Sequence, residues 1–594
     1  MKAVFALAAA LVAVTAAGCA NPGPAVSSHE PAAPATAPSA PPGAAAPGNP
    51  EPAPPLVDLS PQLLFQLLAA DIAAQRGDAG SAWSTYMAIA RQTRDPRVAR
   101  RAAETAIGAR AIEQAIQSAQ LWAELAPGSR GAAQMLETLW LGSGRLDQIE
   151  PIMVERLAKA RTEGSLPAAY VQLQRALQRA QDREAAWQLV QRLSGPDLNL
   201  SAARLVRAAF ASAADDHLAA AEEANAAVRL APDDESAVVA AARATHRLPG
   251  RQQEGLALLE RHLQRQPMAL EARYAYARLL LADGRTDAAR EQLERALAQQ
   301  PDSPAVLFSL AQIAYHQGKQ PDDARRHLMR FVELPRSVPR DDTPALLFLA
   351  QIAEEAQRLE EAIAWLERVP RGEQWAVAVV RRALLIARSG KVEAARELLQ
   401  NAPVTQTRER VQMLSAEAQV LREARRYQEA FDVLARGLER MPDNPELLYD
   451  HAMAAEKLDR IDVLEASLRR LIALRPDHAH AYNALGYTLA DRNIRLDEAR
   501  TLIERALALA PDDPHIIDSM GWVLFRQKDY PKALEYLRKA YGVLPEVEIA
   551  AHLGEVLWAM GRTEEARALW REARGREPDN ATLRETLARL NVAL

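Results

Sequence analysis

The sequence predicts an all-α fold, a solenoid built from antiparallel helix pairs that stack on one another. Ala, Leu, Arg and Glu, which are strong helix formers, dominate the chain. Gly is sparse, at 26 of 594 residues, and aromatic residues make up only 5%. Prolines recur about every 34 residues in two parts of the chain: Pro232, Pro267, Pro301 and Pro335, and then Pro442, Pro476, Pro511, Pro545 and Pro578. A fixed period of this length indicates a repeat architecture.

Small residues support this period, because they recur at fixed distances before the prolines. Offsets of 12, 7 and 5 residues separate the members of two groups: Gly521, Ala533, Ala540 and Pro545, and then Gly554, Ala566, Ala573 and Pro578. This pattern is typical of the tetratricopeptide repeat (TPR), in which two helices cross closely at two small residues. The proline ends the second helix, since it has no N–H and disfavours helix in the residue before it. The predicted architecture is a TPR superhelical solenoid.

The repeats divide residues 58–594 into about fifteen units. They are clearest over residues 200–335 and 410–594. Residues 145–200 are helical by composition but poorly phased, and the segment Pro335–Pro344 breaks the period, so we expect a longer loop there. Each unit is too small to bury its own apolar face, and stability is expected to come from stacking. Large apolar side chains should fill the core between helices: Leu485, Leu489, Leu524, Leu537, Leu557 and Trp570.

The N-terminal residues 1–18 read as a lipoprotein signal peptide. A positive start, Met1-Lys2, precedes an apolar stretch from Ala3 to Val14 that is too short to span a bilayer. Small residues then lead to Cys19, the single cysteine of the chain, in a pattern that resembles a bacterial lipobox. The resemblance implies that Cys19 becomes the lipidated first residue of the mature protein. The alternative is an ordinary signal peptide cleaved near Ala17, which would leave an unused thiol.

Residues 19–57 are predicted to be a disordered tether, because a segment this rich in Pro and Ala cannot bury enough apolar surface to fold. As a spacer it would hold the folded part away from the membrane, and a linker without a required length explains the composition equally well. Ala20 follows the cysteine where Asp would resemble an inner-membrane retention signal. We therefore expect a lipid-anchored, periplasm-facing protein of the outer membrane that contacts the membrane through its N-terminal lipid only.

The chain is predicted not to be an enzyme and to need no cofactor or metal. It contains no Gly-rich phosphate loop, no His-Glu-x-x-His, no Gly-x-Ser-x-Gly and no pair of cysteines. The balance of 72 Lys and Arg against 77 Asp and Glu gives no electrostatic footprint for nucleic acid. His478 and His480 do not face each other on a helix, which favours a solvated helix entrance over a metal site. The triplet Arg76-Gly77-Asp78 is interpreted as a turn between helices rather than an adhesion motif.

A partner-binding groove is the candidate site. In this fold the first helix of each repeat lines the inner face, and in three C-terminal repeats the corresponding positions combine aromatic and polar residues. These are Asn483, Tyr487, His515, Asp518, Trp522, Phe525, Arg526, Glu555 and Trp558. Such patches mark binding sites. The alternative is that a tightly wound superhelix or a terminal capping helix covers them as part of the core.

Several stretches carry a more specific resemblance: Ala74–Asp78, Thr93–Ala99, Leu121–Pro127, Asn483–Arg492, and Asp518–Phe525 through Glu546 to Trp558. With the lipobox and the length, they resemble the LbcA-like family of large TPR outer-membrane lipoproteins, the binding partners of a periplasmic carboxyl-terminal processing protease. The resemblance implies a non-catalytic adaptor that recruits and activates this protease and presents peptidoglycan hydrolases to it.

Two other functions were weighed against the adaptor. A TPR scaffold lipoprotein in envelope biogenesis or exopolysaccharide export would use the same repeats and the same lipid anchor. An enzyme acting on peptidoglycan would need paired carboxylates in a recognisable cleft, and the sequence shows none. The adaptor is the leading hypothesis, with proteins as partners.

Overall fold

The computed structural model describes residue 55 and residues 57–594, apart from residues 336 and 339. The predicted signal peptide, Cys19 and most of the predicted tether lie outside the described residues and stay predictions. Within the described part all regular elements are helices, with no β-strand. This confirms the predicted all-α class. No helix of the described part combines the length and apolar character that a membrane span requires.

The described residues form two compact units. The first contains residues up to 153 together with residues 176–182, and the second contains residues 154–175 and 183–594. The helices of the first unit are α1 (Pro61–Gln75), α2 (Ala79–Thr93), α3 (Pro96–Gly108), α4 (Ile112–Leu125) and α5 (Arg130–Gly142). Two helices contribute residues to both units, α6 (Leu146–Glu163) and α7 (Leu166–Leu177).

The second unit contains the remaining helices. Those up to residue 400 are α8 (Arg183–Ser194), α9 (Ser201–Ala213), α10 (His217–Leu230), α11 (Glu235–His246), α12 (Gln252–Arg265), α13 (Leu270–Ala282), α14 (Thr286–Gln299), α15 (Pro304–His316), α16 (Pro321–Glu333), α17 (Thr343–Glu355), α18 (Leu359–Glu367), α19 (Trp375–Arg388) and α20 (Val392–Gln400). Those after it are α21 (Thr407–Glu423), α22 (Tyr427–Arg440), α23 (Pro445–Lys457), α24 (Ile461–Leu474), α25 (Ala479–Asp491), α26 (Leu496–Leu509), α27 (Pro514–Arg526), α28 (Tyr530–Val543), α29 (Val547–Ala559), α30 (Thr563–Arg576) and α31 (Ala581–Arg589).

Eleven consecutive helix pairs, from α9–α10 to α29–α30, pack as helical hairpins, and the final helix α31 packs on α29. Each second helix that precedes one of the periodic prolines ends two residues before it, as α26 does at Leu509 before Pro511. The predicted helix ends are therefore confirmed. The chain is an all-α TPR solenoid in this unit, as the period predicts.

The paired helices approach closely where the motif places its small residues. A Cβ added to Gly521 of α27 would lie 2.6 Å from Leu537 Cγ and 3.2 Å from the carbonyl oxygen of Ala533 on α28. A Cβ added to Gly486 of α25 would lie 2.9 Å from the carbonyl oxygen of Ala499 on α26. A Cβ less than 3.0 Å from another heavy atom would be a steric clash, so a larger residue at either position would require the facing helix or its side chains to move. The predicted crossing of two small residues is thus present.

The core lies between the helices, as expected for stacked hairpins. All six apolar residues predicted to fill it are buried, with exposed fractions of 0–2%: Leu485, Leu489, Leu524, Leu537, Leu557 and Trp570. They belong to one continuous cluster that runs from Leu448 to Leu583 across several repeats. Because each hairpin contributes only part of this cluster, no hairpin of the cluster completes its core without its neighbours.

The two irregular regions are also as predicted. In the poorly phased region α6 runs for 18 residues with Pro151 inside it, and a short 3₁₀ helix, Gly195–Asp197, follows α8. Between α16 and α17 the connection is the predicted longer loop, residues 334–342. The Arg340 guanidinium fastens this loop by donating to the carbonyl oxygens of Leu334 at 2.8 Å and Pro335 at 3.0 Å. One buried guanidinium therefore supplies hydrogen bonds that a regular helix would have made.

Replacing Gly521 by Ala is expected to destabilise the C-terminal repeats by about 1–3 kcal/mol, because the new methyl group overlaps Leu537 and the Ala533 carbonyl. Gly542→Ala in α28 is the matched control, since no heavy atom lies within 4 Å of its added Cβ. That control should be neutral or stabilising by up to ~1 kcal/mol through helix propensity. Urea unfolding followed by circular dichroism measures both, and equal stability of the two variants would contradict the close approach.

Candidate partner-binding groove

The nine predicted groove residues lie on the first helices of three consecutive repeats. Asn483 and Tyr487 are on α25, and Glu555 and Trp558 are on α29. The other five, His515, Asp518, Trp522, Phe525 and Arg526, are on α27, which packs against both neighbours. The structure therefore brings the predicted residues onto one contiguous set of helices.

Their accessibility differs from that of an open patch. Asp518, Trp522 and Glu555 are buried, with exposed fractions of 8%, 3% and 4%. The burial of these three residues favours the alternative that they belong to a covered core. His515 is exposed, and the remaining five are half-buried: Asn483, Tyr487, Phe525, Arg526 and Trp558. Binding by those six residues stays a prediction.

His552 of α29 is one reason that Trp522 and Asp518 are covered, and the sequence analysis did not select it. Its imidazole stacks on the Trp522 indole with ring centroids 4.2 Å apart and 24° between the planes. Its Nδ1 lies 3.0 Å and 3.1 Å from the two carboxylate oxygens of Asp518. The Tyr487 hydroxyl lies 3.4 Å from His552 Nε2. One imidazole thus joins the first helices of three repeats.

Glu555 is covered from the other side, by α31. Its carboxylate accepts two hydrogen bonds from the Arg589 guanidinium, at 2.8 Å and 2.5 Å. The Glu555 side chain is 5% exposed, whereas that of Arg589 is 52% exposed. A paired geometry of this kind is needed to keep a carboxylate buried, because an isolated buried charge is costly. Here α31 acts as the capping helix that the alternative reading describes.

Acidic residues surround Tyr487, and two of them, Asp491 and Glu548, are exposed. Burial is the largest cause that raises the pKa of Tyr487, and the negative charges of Asp491, Asp518, Glu456 and Glu548 raise it further. Asp491 is exposed and accepts a hydrogen bond from the Trp522 indole N–H at 3.3 Å. This surface can therefore accept hydrogen bonds from a cationic or amide group of a partner.

His478 and the Arg76-Gly77-Asp78 triplet have structural roles at helix ends. His478 caps α25 by accepting a hydrogen bond from the Ala481 N–H at 3.1 Å. Among the described residues no group of three His, Cys, Asp or Glu side chains could hold a metal ion. Gly77 adopts a left-handed φ of +83° after α1, and Asp78 caps α2 by accepting from the Ser81 N–H at 3.1 Å. The Arg76-Gly77-Asp78 triplet is thus the predicted helix-to-helix turn.

Known proteins match this chain through its repeats. Family models described as tetratricopeptide repeat match residues 270–313, 319–374, 449–514 and 524–590. A relative from Pseudomonas aeruginosa, the TPR repeat-containing protein PA4667, is 32% identical over 207 residues. The alignment covers 35% of this chain and 35% of that relative, so only about a third of the relative's length is matched.

Solved TPR-containing structures are also similar to this chain, at low overall similarity. A thermophilic TPR protein of Thermus thermophilus is 24% identical to this chain. The match covers 31% of this chain and 100% of the Thermus protein, with a TM-score of 0.28. The Cut9–Hcn1 hetero-tetramer of APC/C contains a chain that is 13% identical, covers 74% of this chain and 93% of its own, and has a TM-score of 0.32. Both TM-scores lie below 0.5, so these structures do not indicate what this chain binds.

Replacing Trp522 by Ala is expected to destabilise α25, α27 and α29 by about 3–5 kcal/mol, because the indole is buried and packed on His552. Phe525→Ala, a change at a half-buried neighbour, should cost less. Hydrogen exchange of peptides from the three helices measures the local loss. If the Trp522 variant kept wild-type exchange there while losing partner binding, Trp522 would belong to the groove after all.

The His552–Asp518 pair predicts a pH-dependent stability. Burial alone would lower the pKa of His552, but the charge and hydrogen bond of Asp518 outweigh burial and raise it. The charged pair therefore stabilises the fold below about pH 6.5, the pKa of an ordinary His, and this contribution is lost as pH rises through the raised pKa. Asp518→Asn, which removes the charge and keeps an acceptor, should lower Tm more at about pH 6 than at about pH 9. An equal decrease at both pH values would contradict the pair.

These observations establish what kind of protein this is at the level of its repeats. The helix pairs, the close crossing of small residues and the family matches agree along the second unit. The chain folds as an all-α tetratricopeptide-repeat solenoid, and about a third of it is similar to the TPR repeat-containing protein PA4667 of Pseudomonas aeruginosa.

Proposed function

We propose that this chain is a non-catalytic adaptor lipoprotein that binds a periplasmic carboxyl-terminal processing protease and presents peptidoglycan hydrolases to it. The observation that carries the proposal is the row of eleven consecutive hairpins, α9–α10 to α29–α30, in which each hairpin packs on the next. TPR repeats are typical of protein-interaction scaffolds, and a row of this length can contact a folded partner over several repeats.

The resemblance to LbcA-like lipoproteins supports the choice of partner. Its most specific stretch, Asp518–Phe525 through Trp558, lies on α27 and α29 and includes the His552 cluster. Part of that stretch is buried and serves the fold. Its accessible residues, including Phe525, Arg526 and Trp558, are those available to a protease or a substrate.

The place of action follows from the N-terminus. We propose that lipidation of Cys19 anchors the chain to the outer membrane and that residues 20–57 act as the spacer. Several acyl chains on one residue give stable anchoring, where a single chain gives only reversible binding. A scaffold held in this way would act between the membrane and the cell wall.

Affinity purification of the tagged protein from detergent-solubilised envelope tests the adaptor function, with partners identified by mass spectrometry. The proposal predicts that a carboxyl-terminal processing protease is recovered in near-stoichiometric amount. An unrelated lipoprotein with the same tag is the control. Recovery of export or assembly components without a protease would instead favour a scaffold in envelope biogenesis or exopolysaccharide export.

The Cys19→Ser variant tests the anchor. It is expected to move from the membrane fraction to the soluble fraction, because serine cannot be lipidated at this site. Ala16→Leu is the matched control, since Leu is common at this lipobox position, and it should stay with the membranes. A Cys19→Ser protein that still sediments with outer membrane would refute the lipid anchor.

A further inference from the structure

A second groove lies far along the chain from the predicted one, at the N-terminal end of the hairpin row. It is formed by α7, α9 and α11, with a cavity of about 450 Å³. Small apolar residues make its floor, and all of them are half-buried: Ala202, Leu205, Ala209, Ala240 and Ala244. Alanine side chains leave room above the helices, and a volume of this size lies within the range of binding clefts.

Two exposed arginines line this groove, Arg243 of α11 and Arg247 directly after α11, and Arg278 of the adjacent α13 is close enough to act on Arg243. Within the described part of the chain none of these three guanidinium groups forms an ion pair. Arg247 donates one hydrogen bond, to the Ser212 hydroxyl at 3.0 Å. In the preceding repeat, by contrast, Arg204 and Arg207 of α9 each bind Glu223 of α10 at 2.6 Å. Beside the groove, arginines are thus paired with a carboxylate, whereas the arginines that line the groove have no carboxylate partner among the described residues.

The electrostatics of Arg243 show the consequence of this arrangement. Burial is the largest cause that lowers the pKa of Arg243, and the positive charge of Arg278 is the next. The positive charge of Arg247 lowers this pKa further. Glu271 and Tyr274 act in the opposite sense without offsetting them. Arg243 is nevertheless accessible to solvent, as expected for a side chain in a concave surface. An anionic group that enters the groove would remove this repulsion.

We propose that this groove binds an extended acidic segment of a partner protein, with apolar side chains on the alanine floor and carboxylates paired with Arg243, Arg247 and Arg278. An apolar floor between helices suits a peptide better than a small ion, because an ion would leave the floor empty. Arginines on two neighbouring first helices suit carboxylates that are spaced along a chain. The inference rests on the proposed scaffold function and adds the chemistry of the segment that the scaffold takes.

The test uses the purified full chain in detergent and three labelled peptides, each acetylated and amidated so that no terminal charge contributes. One peptide alternates Leu with Glu, the second carries Gln in place of Glu, and the third carries Lys. Fluorescence anisotropy should show binding of the Glu peptide that weakens with added salt, and much weaker binding of the other two. The variant Arg243→Gln with Arg247→Gln should weaken binding of the Glu peptide by about tenfold or more.

Arg229→Gln with Arg261→Gln is the matched control, because it removes the same charge from exposed positions on the second helices α10 and α12. It should bind the Glu peptide as the wild type does, and both double variants should keep wild-type helix content. Equal binding of the Gln peptide, an equal loss in the control, or no binding of the Glu peptide would overturn the proposal. So would inorganic phosphate binding to the same arginines when no peptide binds.

The peptide assay and the envelope purification fail independently. If no protease is recovered from the envelope but the Glu peptide binds through Arg243 and Arg247, the adaptor function fails and the acidic-segment groove stands. If the protease is recovered and the peptide does not bind, the scaffold function stands and this groove is not its acidic-segment site.

Discussion

The close approach of the two helices within a hairpin constrains everything else in the second unit. At Gly486 and Gly521 the facing helix leaves little space for a Cβ, which would lie only 2.9 Å and 3.2 Å from backbone carbonyl oxygens of that helix. This contact sets the distance between paired helices, and that distance sets where large residues such as Leu489 and Leu537 fit. First helices such as α25, α27 and α29 then pack on one another, and their accessible positions form a surface that is open to a partner.

Polar contacts reinforce the stacking at the same period as the fold. His552 and Asp518 are 34 residues apart, as are Arg589 and Glu555. Each of these contacts joins equivalent positions in adjacent repeats, so the repeat period appears in the charges as well as in the core. Because His552, Asp518 and Glu555 are buried, loss of one partner would leave an unpaired buried charge and would lower the stability of the fold. Part of the inner face near the C-terminal helices is therefore buried in contacts between repeats and is not available to a partner.

The sequence was sufficient to predict the fold, but it predicted only part of the candidate site. The period, the small residues and the prolines gave helix pairs, helix ends, core residues and the long loop before Thr343, because each depends on local chemistry or on a contact within one repeat. The burial of Trp522, Asp518 and Glu555 depends on contacts between repeats, which position within a repeat does not reveal. Pairing oppositely charged residues 34 positions apart would have found both His552 and Arg589. No comparable pattern marks Arg243, since its distinguishing property is a partner that is absent from the described chain.

The alanine floor between α9 and α11 has a consequence for the thermodynamics of binding. Alanine has no side-chain torsion to restrict, so Ala202, Ala209, Ala240 and Ala244 lose no rotamer entropy when a ligand covers them. On the protein side the ordering cost then falls mainly on Leu205 and on the arginines that line the groove, and most of the entropy lost on association belongs to the incoming chain. Affinity at such a surface is governed by how rigid the ligand is before it binds.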